Sequence, residues 1–335
     1  MAWEGADALL GCPVARRAAG FDTPPMTRLP ILAALLLLAA AAHAQRVPFP
    51  TDGANFTADQ ALRGVQASEA DCARVSPAVW ARAPGGGECI RYWTAGFDGD
   101  RARSAVVYIP GDQLAGSGVD PSYTRRNPAE LQKLAQQMQA RLGTPFILLT
   151  RPGIFGSSGS HRERRREPEA RLMQAAVDAI KRKHGIDEFA LAGLSGGGHT
   201  VASLLGWRSD IACAVPASAV SSPRARWEAK GFRQDITGYA DSYEPVEHLP
   251  AAGYHPKLRV FVLGDPKDAN TPWATQQPLA AKLKALGVAT EVVEGEGADG
   301  ERHMLGASGQ LLAAMCLKGA TTREILDVAA KGLKG

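Results

Sequence analysis

Short apolar runs alternate with stretches of helical spacing along most of the chain. Residues 104–109 (SAVVYI) form a β-branched apolar run of the kind buried in a parallel sheet, and Pro110-Gly111-Asp112-Gln113 stops it. Residues 128–142 read as an amphipathic helix with Pro128 in its first turn, and residues 145–150 (PFILLT) as the next buried strand. From Pro168 a helix places Leu172, Ala175, Ala176, Ala179 and Ile180 on one face. Strands are predicted over 186–194, 211–216, 258–264 and 289–293, with helices over 276–286, 306–317 and 321–333. Upstream, residues 89–93 alternate as a strand does, whereas 45–70 show no period and read as an arm over the domain. Between 217 and 256 no strong period appears, and the segment is too short for a separate domain. It reads as a small lid or a short excursion carrying Trp227, Tyr239 and Tyr243. Strand and helix in alternation imply an α/β fold, a doubly wound and mostly parallel sheet with a short lid-like insertion, binding ligands at the carboxyl ends of its strands.

The strand over 186–194 runs into Gly193-Leu194-Ser195-Gly196-Gly197, a G-x-S-x-G pattern, and then into Val201, Ala202, Leu204 and Leu205 at helical spacing. Strand, sharp turn and helix would leave the Ser195 hydroxyl exposed on a strained backbone that flanking glycines permit. The helix behind it aims N–H groups and a positive dipole end at the spot where an oxyanion would form.

Composition narrows the setting. The 335 residues are 45% hydrophobic and 21% charged, an ordinary globular balance, and a formal net charge of +4 favours no nucleic-acid partner. Arg28 precedes an apolar run over 29–42 that ends in Ala42-His43-Ala44, the small-x-small pattern of a signal-peptide cleavage site. Residues 26–44 are therefore expected to be a signal peptide starting at Met26, 1–25 an upstream extension, and 45–335 the mature domain. The run is too short for a comfortable membrane span, so no stable insertion is expected after cleavage. Four cysteines then remain, Cys72, Cys89, Cys213 and Cys316, in a chain that reads as periplasmic or secreted, and two disulfides are expected. Of three connectivities, Cys72 with Cys89 and Cys213 with Cys316 is favoured.

A serine hydroxyl needs an imidazole to take its proton, and the imidazole needs a carboxylate to hold its tautomer. After this elbow the order is serine, acid, histidine. Only His303 lies beyond the plausible acid loop, in Asp299-Gly300-Glu301-Arg302-His303, between the last strand and a helix. Two aspartates compete for the acid: Asp268 is preferred because it lies far enough past the strand end to curl towards a histidine loop, and Asp265 is the reserve. The basic run Arg162, Arg164, Arg165 and Arg166 fits either a pocket for an anionic group or, more commonly, a solvated charge run. His199, four residues after Ser195, is expected to pack near the elbow. No His-x-x-x-His or Cys-x-x-Cys spacing points to a metal, and no organic cofactor is expected.

With Gly193-Leu194-Ser195-Gly196-Gly197, the acid loop over 264–272 and His303 in this order, the chain resembles an α/β-hydrolase of the prolyl oligopeptidase and dienelactone hydrolase-like branches. Lys267 stands where those relatives place the acid. The resemblance implies an oxyanion hole built from the N–H of Gly196 and one from Asp112 or Gln113. Phe155 and Trp273 would line a substrate pocket or pack in the core. The expected activity is that of an exported serine hydrolase cleaving small carboxylic esters through an acyl-enzyme. The alternatives are an exopeptidase or amidase and a non-catalytic binding module on the same fold.

Overall fold

The computed structural model describes residues 46–334 apart from 52, 116 and 117. The expected extension (1–25) and signal peptide (26–44) lie outside the described residues. Gln45–Gly335 is one compact unit.

Two short helices open it, α1 (Ala58–Arg63) and α2 (Glu69–Ala73), followed by a hairpin of β1 (Ala78–Ala83) and β2 (Gly86–Ala95). This region has more structure than its lack of period suggested. Capping boxes at Thr57/Gln60 and Ser68/Asp71 satisfy the first N–H groups of helices only one turn or so long, which leave no periodic trace. Then come β3 (Ser104–Ile109), α3 (Pro128–Leu142), β4 (Phe146–Leu149), α4 (Glu167–His184), β5 (Glu188–Leu194), α5 (Gly196–Leu204) and β6 (Ile211–Ala217). The short α6 (Pro223–Ala229) leads to β7 (Arg259–Gly264), α7 (Trp273–Ala285), β8 (Ala289–Glu294), α8 (Gly306–Leu317) and α9 (Thr322–Ala330). Helix α9 stops before residue 333 because Gly332 turns into the left-handed region at φ 93°.

The strands form one eight-stranded sheet in the order β8-β7-β6-β5-β3-β4-β2-β1. The sheet from β8 to β4 is parallel, whereas β2 runs antiparallel to both β4 and β1. Successive strand residues feed opposite faces, since side chains alternate along a strand. Val107, Ile147, Val260 and Val262 join one core with Met173 and Val177 of α4, Val201 of α5 and Leu279 of α7. Val106, Leu148 and Phe261 join the other with Leu131 of α3, Leu312 of α8 and Ile325 of α9. Each fully buried Val, Leu, Ile or Phe contributes about 1.5–3 kcal/mol relative to exposure, so the apolar runs that marked the strands also decide which helices cover them.

Both favoured disulfides are present. Cys72–Cys89 joins α2 to β2, and Cys213–Cys316 joins β6 to α8. Among the described residues no helix is long and apolar enough to cross a membrane.

Candidate active site

Ser195 stands between β5 and α5 at φ 55°, ψ −117°, a conformation that non-glycine residues avoid. Such strain persists only where the surroundings impose it. Here Ser195 N–H donates to Ala217 O at 2.9 Å, and its carbonyl accepts from His199 N (3.0 Å) and Val220 N (3.2 Å). The two outer glycines of the motif are sterically required: a Cβ on Gly193 would overlap the Gly197 carbonyl, and one on Gly197 would overlap the Ile109 carbonyl of β3. Strand and helix therefore pass at backbone distance, leaving the serine partly exposed at the turn.

Two strands away, β7 ends in a loop whose buried Asp268 is held by backbone N–H groups and an imidazole. Its Oδ1 accepts from Asn270 N (2.8 Å) and Thr271 N (2.7 Å), and its Oδ2 lies 2.8 Å from His303 Nδ1. His303 is 6% exposed, in the loop between β8 and α8, where Asp299 Oδ1 accepts the N–H groups of His303 (2.6 Å) and Met304 (2.9 Å). Ala269 N donates to Glu301 O at 2.9 Å and joins the two loops. Asp265, the other aspartate considered, does not touch the imidazole. It accepts from Lys267 N, Gly297 N and Arg302 Nε, and braces the histidine loop from below. Burial would raise its carboxyl, but those donors outweigh burial and hold it below the usual range.

The sheet order puts the turn after β3 on the other side of the serine. An ideal Cβ on Gly111 would lie 3.3 Å from Ser195 Cβ. Beside it, the Asp112 carboxylate meets three guanidinium groups: Arg151 at 2.7 Å, Arg164 at 3.0 Å, and Arg165. Arg151 continues to Glu169, and Arg165 to Asp235 at 2.6 Å. Burial alone would raise the Asp112 carboxyl, yet the three arginines hold it well below the ordinary value. Asp112 Oδ1 and Arg151 Nη1 press so closely on Gly196 that a Cβ there would clash with both. The N–H of Gln113 is already committed to His161 Nε2 at 3.3 Å, whereas that of Asp112 donates to no other described residue.

Several expectations change here. The arginine run is split: Arg162 is exposed and Arg166 pairs at the surface with Glu163 and Asp241, whereas Arg164 and Arg165 are 3% and 1% exposed and paired. Of the two readings for Phe155, packing in the core is the one seen: it is buried between Phe56 and Tyr123 with ring centroids 5.6 and 5.0 Å away. Trp273 is partly buried, its ring covering Gly264 at the end of β7. His199 packs behind the elbow, Nε2 at 2.8 Å from Tyr243 O, and burial pushes its pKa down to about 3, so it stays neutral. His161, buried among the arginines, is likewise driven well below its usual value, first by burial and then by Arg151 and Arg164. Sequence reasoning missed Arg151, Glu169, Asp235 and His161, for their partners are far apart in the chain and no local pattern announces a buried ion network. Among the described residues, no cluster of His, Cys, Asp and Glu is arranged to hold a metal ion.

No family model and no curated protein matches this chain. Solved structures do. The esterase Est1E from Butyrivibrio proteoclasticus, in a complex with ferulic acid, is 12% identical, covers 76% of this chain over 98% of its own, and superposes with a TM-score of 0.50. An acylaminoacyl peptidase from Pyrococcus horikoshii is 12% identical over 76% of this chain, with a TM-score of 0.48. The chain spans 41% of that peptidase's length. At these identities the likeness establishes the fold.

Proposed function

We propose that this chain, which has the α/β-hydrolase fold, is a serine hydrolase that cleaves carboxylic esters, with Ser195 as nucleophile, His303 as general base and Asp268 as the carboxylate that orients it. The observation that carries the reading is the strained Ser195 backbone at the same sheet edge as a buried imidazole–carboxylate pair 2.8 Å apart. In this conformation no hydrogen bond joins the Ser195 hydroxyl to the imidazole, and such bonds commonly tighten only when substrate binds.

In the reaction, His303 Nε2 takes the hydroxyl proton as Ser195 Oγ attacks the acyl carbon. The oxyanion is received by the free N–H groups of Gly196 and Asp112, and each such donor is worth about 3 kcal/mol in the barrier. The tetrahedral adduct collapses by returning the proton to the departing alcohol, and water then repeats the sequence on the acyl-enzyme. The buried ion network fixes the loop that presents the Asp112 donor. Segment 218–258 would serve as the lid, with Trp273 flanking the acid loop.

A fluorophosphonate probe tests the assignment: labelling of the wild-type protein that disappears in Ser195→Ala is expected, and labelling that is absent or persists in the variant overturns it. Esters are preferred to aminoacyl anilides on this reading, and a comparison of kcat/KM on the two decides between ester and amide cleavage. Export is part of the proposal, supported by two disulfides that an oxidising compartment would sustain. Mass measurement of the mature chain is expected to find Gln45 at its amino terminus.

A further inference from the structure

The guanidinium groups beneath the site are matched one for one: Arg151, Arg164 and Arg165 share Asp112, Glu169 and Asp235. Arg226 is different. It lies on α6, half-buried, with Nε donating to Asn270 O at 3.1 Å and Nη2 to Asn270 Oδ1 at 2.7 Å. Its Nη1 group has no acceptor among the described residues, and no carboxylate pairs with it. One helical turn on, Lys230 Nζ donates to the carbonyls of Ala269 and Asn270, both at 3.0 Å, and it too has no ion-pair partner. Glu301, the one acid of the histidine loop that acts on Lys230, is tied to the Asn270 side-chain amide at 2.9 Å.

The place of Arg226 follows from its two bonds to Asn270, two residues past Asp268, and more distant charges act on it there. Burial and Arg165 disfavour its charge, while Asp112, Asp235 and Asp268 favour it from a distance. Asp112 abuts Gly196 on the oxyanion side, and Asp268 holds His303 on the other. Arg226 and Lys230 thus both grip the Asn270 end of the acid loop, beside the Asp268–His303 pair. Three hydrogen-bond links, from Arg226 through Asn270 and Asp268, lead to the imidazole. A half-buried guanidinium group with one nitrogen left without an acceptor offers an anion a charge-assisted contact.

We propose that Arg226, supported by Lys230, is an anion subsite at the mouth of the active site, and that the preferred substrates are esters bearing a free carboxylate, such as hemiesters of dicarboxylic acids. The proposal rests on the serine-hydrolase reading and names its substrate class. Arg226 is a specificity-determining residue here, since Nη1 would donate charge-assisted hydrogen bonds to the carboxylate and leave the reacting atoms to the elbow.

Three 4-nitrophenyl esters of equal chain length test it: the adipate monoester (anionic), the hexanoate (neutral) and the 6-aminohexanoate (cationic). Wild-type kcat/KM is expected to fall in that order, and the anionic preference to shrink as salt is raised. Arg226→Gln is expected to lower kcat/KM on the adipate on the order of 10- to 100-fold more than on the hexanoate, through KM. Arg226→Lys should restore part of the preference. An equal fall on all three esters would assign Arg226 to holding the acid loop and overturn the subsite. So would a wild-type enzyme indifferent to substrate charge, a result that needs no variant to fold. If none of the three is turned over and the fluorophosphonate does not label Ser195, the hydrolase reading itself fails and the subsite with it.

Discussion

Two aspartates, Asp112 partly buried and Asp268 buried, stand on either side of Ser195, and they are satisfied in opposite ways. Asp112 is surrounded by charge, three arginines sharing one carboxylate. Asp268 faces no arginine or lysine side chain, but two backbone N–H groups and the His303 imidazole, with the Gln276 amide at 3.5 Å. The contrast follows from what each side must do. A carboxylate clamped by guanidinium groups is a fixed anion that pins a loop, and the Gly111–Asp112 backbone has to stay put to present an oxyanion donor. A carboxylate that must stabilise a transient imidazolium is better left without permanent cations, because a neighbouring arginine would already have satisfied it.

The largest expected effect comes from breaking the Asp268 side. Asp268→Asn should lower kcat by about 10⁴ on a 4-nitrophenyl ester, because an amide in that place favours the wrong imidazole tautomer, while thermal unfolding shifts little. Asp265→Asn is the control: it loses a brace to Arg302 but no contact with His303, and its rate should fall far less. Equal losses in the two variants would mean that loop bracing, and not the tautomer, is what the acid loop supplies.

Breaking the charged side should show mainly as lost stability. Asp112→Asn leaves Arg151 with Glu169 and Arg165 with Asp235 but strips Arg164 of its only carboxylate. Removing one partner from a buried pair costs about 3–5 kcal/mol, which for a domain of this size lowers Tm by roughly 10 °C. Scanning calorimetry checks this, and an unchanged Tm would contradict the pinned-loop account.

Glu244 sharpens the comparison because it has neither device. It is 6% exposed, accepts one N–H from Arg224 at 2.8 Å, and no cation pairs with it, so burial pushes its pKa up to about 7. A carboxyl raised by folding binds its proton more tightly in the native state. Its contribution is therefore complete below the unfolded pKa near 4.5 and is lost as pH rises through about 7. Glu244→Gln removes that dependence, and urea unfolding at pH 8 should find the variant more stable, by up to about 3 kcal/mol. At pH 4 the two proteins should differ little.

The G-x-S-x-G elbow, the histidine beyond the acid loop and the presence of two disulfides were legible from sequence because each rests on short-range signals or on counting. Period 2 and period 3.6 marked the core strands and helices for the same reason, whereas α1, α2 and β1 carried no period and went unread. The run Arg162 to Arg166 looked like surface because charge runs usually are. Nothing local says that Arg165 closes on Asp112, 53 residues earlier, and on Asp235, 70 residues later.

Sequence by itself determined the alternation of elements, the strained turn and which residue types could act as nucleophile, base and acid, since backbone sterics and side-chain periodicity are properties of neighbouring residues. Only the tertiary structure decided which aspartate meets His303, where the arginines find their charges, and that Arg226 is left without one. Those outcomes depend on pairings between distant segments, made or refused by the burial of the sheet edge that brings them together.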